Sequence, residues 1–201
     1  VNPASAAERR RAVGLAGHTG DPTIARGALG DDDARVRTAA LRSLARLDDL
    51  TEQDLVSALH DDDPSVRITA LELAAPRHDP PIAVLLDDPE PMVVESAAWA
   101  LGERSEADPD VIDSLAAIVR THDDPLAREA AVAALGAIGD DRGLPAVLEA
   151  TTDKPAVRRR AVIALVAFEG PEVEAAWERA RTDRDRQVRD AVEELLGPDD
   201  E

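Results

Sequence analysis

The chain has 201 residues and no cysteine, with 42 acidic against 23 basic residues, a formal net charge of −19. Without cysteine there are no disulfides, no thiolate catalysis and no cysteine zinc sites. The negative charge disfavours non-specific binding to nucleic acid or an anionic membrane, because like charges repel.

Read in chain order, one unit recurs. A partial copy opens the chain with Glu8, Arg9, Ala12 and Ala16. The spacing predicts a short helix over 22–29 after Asp21-Pro22, then a longer one carrying Val36, Arg37, Ala40, Leu41 and Leu44. A helix over 51–59, opened by Thr51, precedes Val66, Arg67, Ala70 and Leu71. One over 80–86, opened by Pro80-Pro81, precedes Val93, Ala97 and Leu101, with Val94 where arginine stands elsewhere. One over 109–120, after Asp108-Pro109, precedes Ala127, Arg128, Ala131 and Leu135. Helices over 143–150 and 171–181 precede Val157, Arg158, Ala161 and Leu165, and Val188, Arg189, Val192 and Leu196.

Counting each copy from its first residue as position zero, the starts are 8, 36, 66, 93, 127, 157 and 188. A period of this size signals a solenoid, in which each unit buries its apolar face only against its neighbours. Apolar residues at 0, +4 and +8 mark one face of a helix. The acidic, proline-containing turns before most copies ("DDDP", "DDPEP", "HDDP", "TDKP") start helices: aspartate accepts from free N–H groups, and proline has none to lose in the first turn. Glycines at 102, 139 and 197 are read as helix stops. The expected organisation is six pairs of a short A helix and a longer B helix after one unpaired B helix. A single solenoid over 1–197 and an acidic tail at 198–201 follow. Aromatics are limited to Trp99, Trp177 and Phe168, so small residues do the packing and let helices approach closely. The longest apolar run, "AVIALVAF" at 161–168, is far shorter than the roughly 20 residues of a membrane span. The opening "VNPASAAERRRAVGLAGH" has no apolar signal core, so a soluble, cytoplasmic protein is expected.

The recurring pattern D-D-x-P-x-V-R-x-x-A-x-x-A-L-G-x-I-G-D, best seen in "DDPLAREAAVAALGAIGDDRGLPAVLEA" at 123–150, resembles HEAT repeats of the phycobilisome-lyase-type subclass. The resemblance implies an all-α, right-handed αα superhelix with B helices lining the concave face. It also implies a ladder in which the arginine at +1 (Arg37, Arg67, Arg128, Arg158, Arg189) bridges aspartates and carbonyls of its own or the next repeat. The aspartates at −5 or −4, Asp31, Asp61, Asp88, Asp123, Asp153 and Asp183, are the expected partners, since arginine's fork of donors suits carboxylates.

No catalytic constellation stands out. The pairs His60-Asp61, His78-Asp79 and His122-Asp123 read as turn residues of separate repeats. No His-Glu dipeptide is present, unlike the metal-binding HEAT-type hydroxylase of deoxyhypusine. Walker, G-x-G-x-x-G and G-x-S-x-G motifs do not occur, and Ser105, like the other serines, has no histidine at a suggestive spacing. No cofactor or metal is expected. Residues 154–189 carry nine basic and six acidic side chains, read as ion pairing along helix surfaces.

Function in a solenoid is expected where repeats differ on a solvent-facing side. On B helices, +2, +6 and +9 lie opposite the core at about 100° per residue. The +6 column turns apolar at Trp99, Ala133 and Ile163, flanked by Glu95, Glu103 and Glu129, with Arg159 at its C-terminal boundary. These seven residues form the candidate partner-binding site, with Trp99 as anchor. Trp177 is expected in the core between A helices. The leading function is a non-enzymatic scaffold for a protein partner, acting as a monomer or weak oligomer, without nucleic acid or membrane. The alternatives are a lyase or chaperone-like role of the phycobilisome-lyase type, which would need an apolar pigment cleft, and a HEAT-like DNA glycosylase, to which Trp99 and Glu103 bear a superficial likeness.

Overall fold

A computed structural model describes residues 4–77, 81–104 and 107–197. The Pro80 start signal, the His78-Asp79 pair, Ser105 and the tail at 198–201 lie outside the described residues. Helices alternate with turns, and no strand occurs among the described residues. The chain forms two compact units, Val1–Ile82 and Ala83–Glu201. The first contains α1 (Ala6–Ala16), α2 (Thr23–Gly27), α3 (Ala34–Arg46), α4 (Glu52–Leu59) and α5 (Pro64–Ala74). After a 3-10 helix, Ile82–Asp87, the second contains α6 (Pro91–Gly102), α7 (Pro109–Thr121), α8 (Pro125–Ile138), α9 (Leu144–Ala150), α10 (Pro155–Ala164), α11 (Pro171–Arg181) and α12 (Arg186–Leu196).

The turns start helices for the reasons the sequence suggests. Side chains of Asp33, Asp63, Asp124 and Asp185 accept from the N–H two residues on, and α5, α6, α7, α8, α10 and α11 carry proline in the first turn. The A helix expected over 80–86 is instead the 3-10 helix Ile82–Asp87. This repeat is the shortest, and the tighter winding fits its apolar Ile82, Leu85 and Leu86 inward in fewer residues.

Within each unit, B helices form one layer and A helices the other. In the first unit α1, α3 and α5 pack in succession, with α2 and α4 behind them. In the second, α6, α8, α10 and α12 pack in succession, backed by α7, α9 and α11. Position zero of every full copy is buried (Val36, Val66, Val93, Ala127, Val157, Val188). Position +4 (Ala40, Ala70, Ala97, Ala131, Ala161, Val192) is buried too. Trp177 sits between layers rather than between A helices. It is half-buried against Val162, Val188 and Val192, and its indole N–H donates to the Val162 carbonyl at 3.1 Å. That carbonyl is near the point where α10 tightens into the 3-10 turn Leu165–Ala167.

Glycine has two distinct uses on the B helices. Gly139 stops α8 with φ +68°, a left-handed conformation that glycine adopts freely. Gly102 is the last residue of α6 but ends it without a left-handed φ, and a Cβ there would come within 3.0 Å of Ala134 Cα. A Cβ on Gly136 would come within 2.6 Å of Ala164 Cβ and 2.8 Å of its Cα. Gly136→Ala should therefore destabilise the protein by about 1–2 kcal/mol through overpacking. Gly14→Ala, which meets nothing within 4 Å, should stabilise it by up to about 1 kcal/mol through helix propensity. Urea midpoints check this, and shifts of the same sign would contradict the close helix approach.

The arginine ladder is present, and its reach is to the next repeat. Arg37 Nε and Nη2 donate to the two carboxylate oxygens of Asp61 at 2.8 and 2.6 Å. Arg128 does the same to Asp153 at 2.6 and 2.8 Å, and Arg158 to Asp183 at 2.9 and 2.7 Å. Arg9 of the partial copy reaches Asp31 at 2.6 and 2.7 Å. The third donor, Nη1, turns back to the repeat's own acidic turn. Arg37, Arg67, Arg128, Arg158 and Arg189 donate to the carbonyls of Asp31, Asp61, His122, Asp153 and Asp183. Arg37, Arg128 and Arg158 thus each tie two storeys together.

Asp123 joins the ladder through its carbonyl, which accepts from Arg128 Nη1 at 3.0 Å, and not through its carboxylate. In its repeat His122 takes the place that Asp31, Asp61 and Asp183 hold elsewhere: its Nδ1 accepts the Asp124 N–H at 3.1 Å, as those carboxylates accept the N–H two residues on. The preceding copy carries buried Val94 at +1 instead of arginine. Donor and acceptor have been replaced together, so no charge is stranded. The basic excess in 154–189 is partly paired, through Arg158–Asp183, Arg160–Glu129, Arg181–Glu178 and Arg186–Asp190.

Ladder carboxylates are held in their charged form. The Arg9 guanidinium bonded to Asp31 lowers its pKa from 3.8 to about 2, and Arg128 and Arg158 lower those of Asp153 and Asp183. A carboxylate with a lowered folded pKa stabilises above its unfolded pKa, and that contribution is lost as pH falls through the folded value. For Asp31 the window runs from about pH 4 to about pH 2. Helicity should hold down to about pH 4 and then fall. Arg9→Gln should lower the melting temperature at pH 7 and reduce its further fall between about pH 4 and 2. An unchanged slope in circular-dichroism melts would contradict the role given to this pair.

Candidate functional site

In the second unit, α6, α8 and α10 present their solvent-facing sides to a shared groove. One part encloses about 510 Å³ and is lined by Glu95, Trp99, Gly102 and Glu103 of α6 and its cap, by Leu126, Glu129, Ala130, Ala133, Ala134 and Ala137 of α8, and by Arg160 of α10. The second, about 290 Å³, shares Ala133, Ala137 and Arg160, and adds Gly136, Ile163, Ala164, Val166 and Ala167. The shared residues make the two parts continuous.

Local sequence explains the shape. Alanines and glycines at the C-terminal halves of α6, α8 and α10 bring the helices close, as at Gly102–Ala134 and Gly136–Ala164. The floor is therefore shallow and built of small side chains, so the few large ones dominate it. Trp99 is 46% exposed and Leu126 54% exposed, so both offer apolar surface to the groove. Glu129 accepts from Arg160 Nη2 at 3.4 Å, a half-exposed pair that contributes little to stability but fixes the C-terminal wall. Glu95 and Glu103 carry the negative charge of the other wall. No group of three or more potential metal ligands occurs among the described residues.

Five of the seven residues expected from the sequence, Glu95, Trp99, Glu103, Glu129 and Ala133, line the larger part, and Ile163 lines the smaller one. Arg159 lines neither part; it is exposed on α10, and Arg160, one position on, faces the groove instead. Leu126, Ala130 and Ala137 were not singled out. They occupy −1, +3 and +10 of their copy, so reading those columns beside +2 and +6 would have found them.

This architecture defines a class: an αα repeat protein with an open groove on its B-helix layer. A family model of HEAT repeats matches residues 52–134 and 112–197, and the chain belongs to that family. Among solved structures, it is similar to a designed armadillo repeat protein in complex with the peptide (KR)4, with 17% identity over 87% of this chain and 97% of that one, TM-score 0.62. It is similar to an engineered protein at 22% identity over 88% and 97%, TM-score 0.61. Human deoxyhypusine hydroxylase in complex with glycerol shares 20% identity over 97% and 80%, TM-score 0.50. At these identities the likeness is one of fold. No curated protein matches the chain in sequence.

Proposed function

We propose that the protein is a non-enzymatic scaffold that holds a partner segment in the groove of α6, α8 and α10. The observation that carries this reading is an exposed tryptophan over a small-residue floor between carboxylate walls. Tryptophan is enriched among residues that dominate binding energy, and the walls suit a segment with an apolar centre and basic flanks. The designed armadillo protein in complex with (KR)4 supports this use of the fold. The finer resemblance to the phycobilisome-lyase type rests on the repeat at 123–150, and pigment co-purifying with the protein would favour it. Against a glycosylase reading, the groove has carboxylate walls, and the second tryptophan commits its N–H to Val162.

The test is calorimetry with a synthetic amphipathic peptide, leucines and a phenylalanine on one face and lysine and arginine at both ends. It should bind at least about tenfold more tightly than the same peptide with glutamate ends. Equal affinities, or no saturable heat with either, would refute the reading.

A further inference from the structure

The first unit carries a second groove on the corresponding face of its B helices, with the opposite electrostatic character. It encloses about 510 Å³ and is lined by Arg10 and Gly14 of α1, by Arg35, Thr38, Ala39, Arg42 and Arg46 of α3, and by Ser65, Ile68 and Thr69 of α5. No carboxylate is among these residues, although the whole chain carries 42 acidic side chains. Two acidic groups stand nearby and both are engaged. Glu72 pairs with Arg42 at 3.1 Å, and Asp33 caps α3 through the Arg35 N–H at 2.8 Å.

Many arginines elsewhere in this chain face carboxylates, as in the ladder and in Arg26 between Asp49 and Asp54. Here Arg10 and Arg35 make no ion pair among the described residues, and Arg46 donates only to Ser43 Oγ at 2.9 Å. Thr38 also lines the groove, and its buried hydroxyl has no hydrogen-bond partner among the described residues. Unpaired guanidinium forks around an apolar floor of Gly14, Ala39 and Ile68 match a carboxylate-bearing chain with a small apolar side chain between its charges.

We propose that this groove binds an acidic peptide segment, with Arg10, Arg35 and Arg46 holding its carboxylates and Ala39 and Ile68 receiving its apolar side chain. Nucleic acid fits less well. The groove has no aromatic side chain for a base to stack on. A single small anion would leave most of the open floor uncovered.

The test is fluorescence anisotropy with a labelled probe peptide of sequence DDELDDE, the full chain as binder, and a salt series. The peptide should bind saturably, and more weakly as salt rises. Arg10→Glu combined with Arg35→Glu should weaken binding at least about tenfold. Arg184→Glu combined with Arg186→Glu makes the same change in net charge at exposed positions around the start of α12 and should leave binding within about twofold. Circular dichroism verifies folding, and if the double variant loses helix, Arg10→Gln alone carries the comparison. Absence of saturable binding, or equal loss in both double variants, overturns the proposal. So does stronger binding of a labelled single-stranded oligonucleotide, or displacement of the peptide by equimolar tripolyphosphate.

Discussion

Arg158→Ala should lower the stability of the protein by about 3 kcal/mol, the lower end of the cost of breaking a buried ion pair from one side. Arg158 is 4% exposed, and its loss removes three donors at once. The Asp183 carboxylate loses both its bonds to the guanidinium, and the Asp153 carbonyl loses its Nη1 partner. The carboxylate is left beside Asp185 in a partly desolvated turn, and water compensates it only in part. Arg42→Ala breaks the Arg42–Glu72 pair, whose side chains are 52% and 46% exposed, and should cost no more than about 0.5 kcal/mol. Arg158→Lys should fall between the two, because an ammonium cannot reproduce the two parallel bonds. Urea unfolding of the three variants measures this, and equal midpoints for Arg158→Ala and Arg42→Ala would contradict the ladder's role.

Trp99→Ala should leave helical content and stability nearly unchanged while weakening the basic-flanked peptide by about 2 kcal/mol, close to thirtyfold. Nearly half of this side chain is already in solvent, so truncation opens little cavity in the core. The bound state, by contrast, would lose the largest apolar side chain in the groove and its stacking surface. Ala133→Glu tests the same floor by a different route, placing a carboxylate in the shared centre of both parts. It should also weaken the peptide without unfolding α8. If Trp99→Ala unfolds the protein while peptide affinity survives in the folded fraction, Trp99 is a packing residue and the groove is not the site.

The repeat was legible because capping and burial are local and periodic. The zero and +4 columns predicted the buried face, and the Asp and Pro signals placed helix starts within a few residues of their positions. What escaped depended on neighbours. The segment 80–86 has an A-helix composition, but the shortest repeat compresses it into a 3-10 helix. Asp123 fits the ladder by spacing, yet the one-residue phase of its turn puts His122 in the place of the carboxylate. Gly102 ends α6 as expected, but its close contact is visible only once Ala134 is opposite it. The lining of the groove was legible to within one helical position: the +2 and +6 columns gave five of its residues, Glu95, Trp99, Glu129, Ala133 and Ile163, and Glu103 stands at +10, while Arg160 rather than Arg159 faces it. The same columns also contain Arg10, Thr38, Ile68, Gly14 and Arg42 of the basic groove. In a chain so acidic, their significance lies in a lining without carboxylates, which a sequence column does not display.

The most direct measurement is fluorine NMR of protein labelled with 5-fluorotryptophan, titrated with the basic-flanked amphipathic peptide. The chain has two tryptophans, one exposed over the groove and one bonded to a backbone carbonyl between layers. The Trp99 signal should shift and saturate with the peptide while the Trp177 signal stays in place. A Trp99 signal that stays fixed at saturating peptide, with or without movement of Trp177, would contradict binding in this groove.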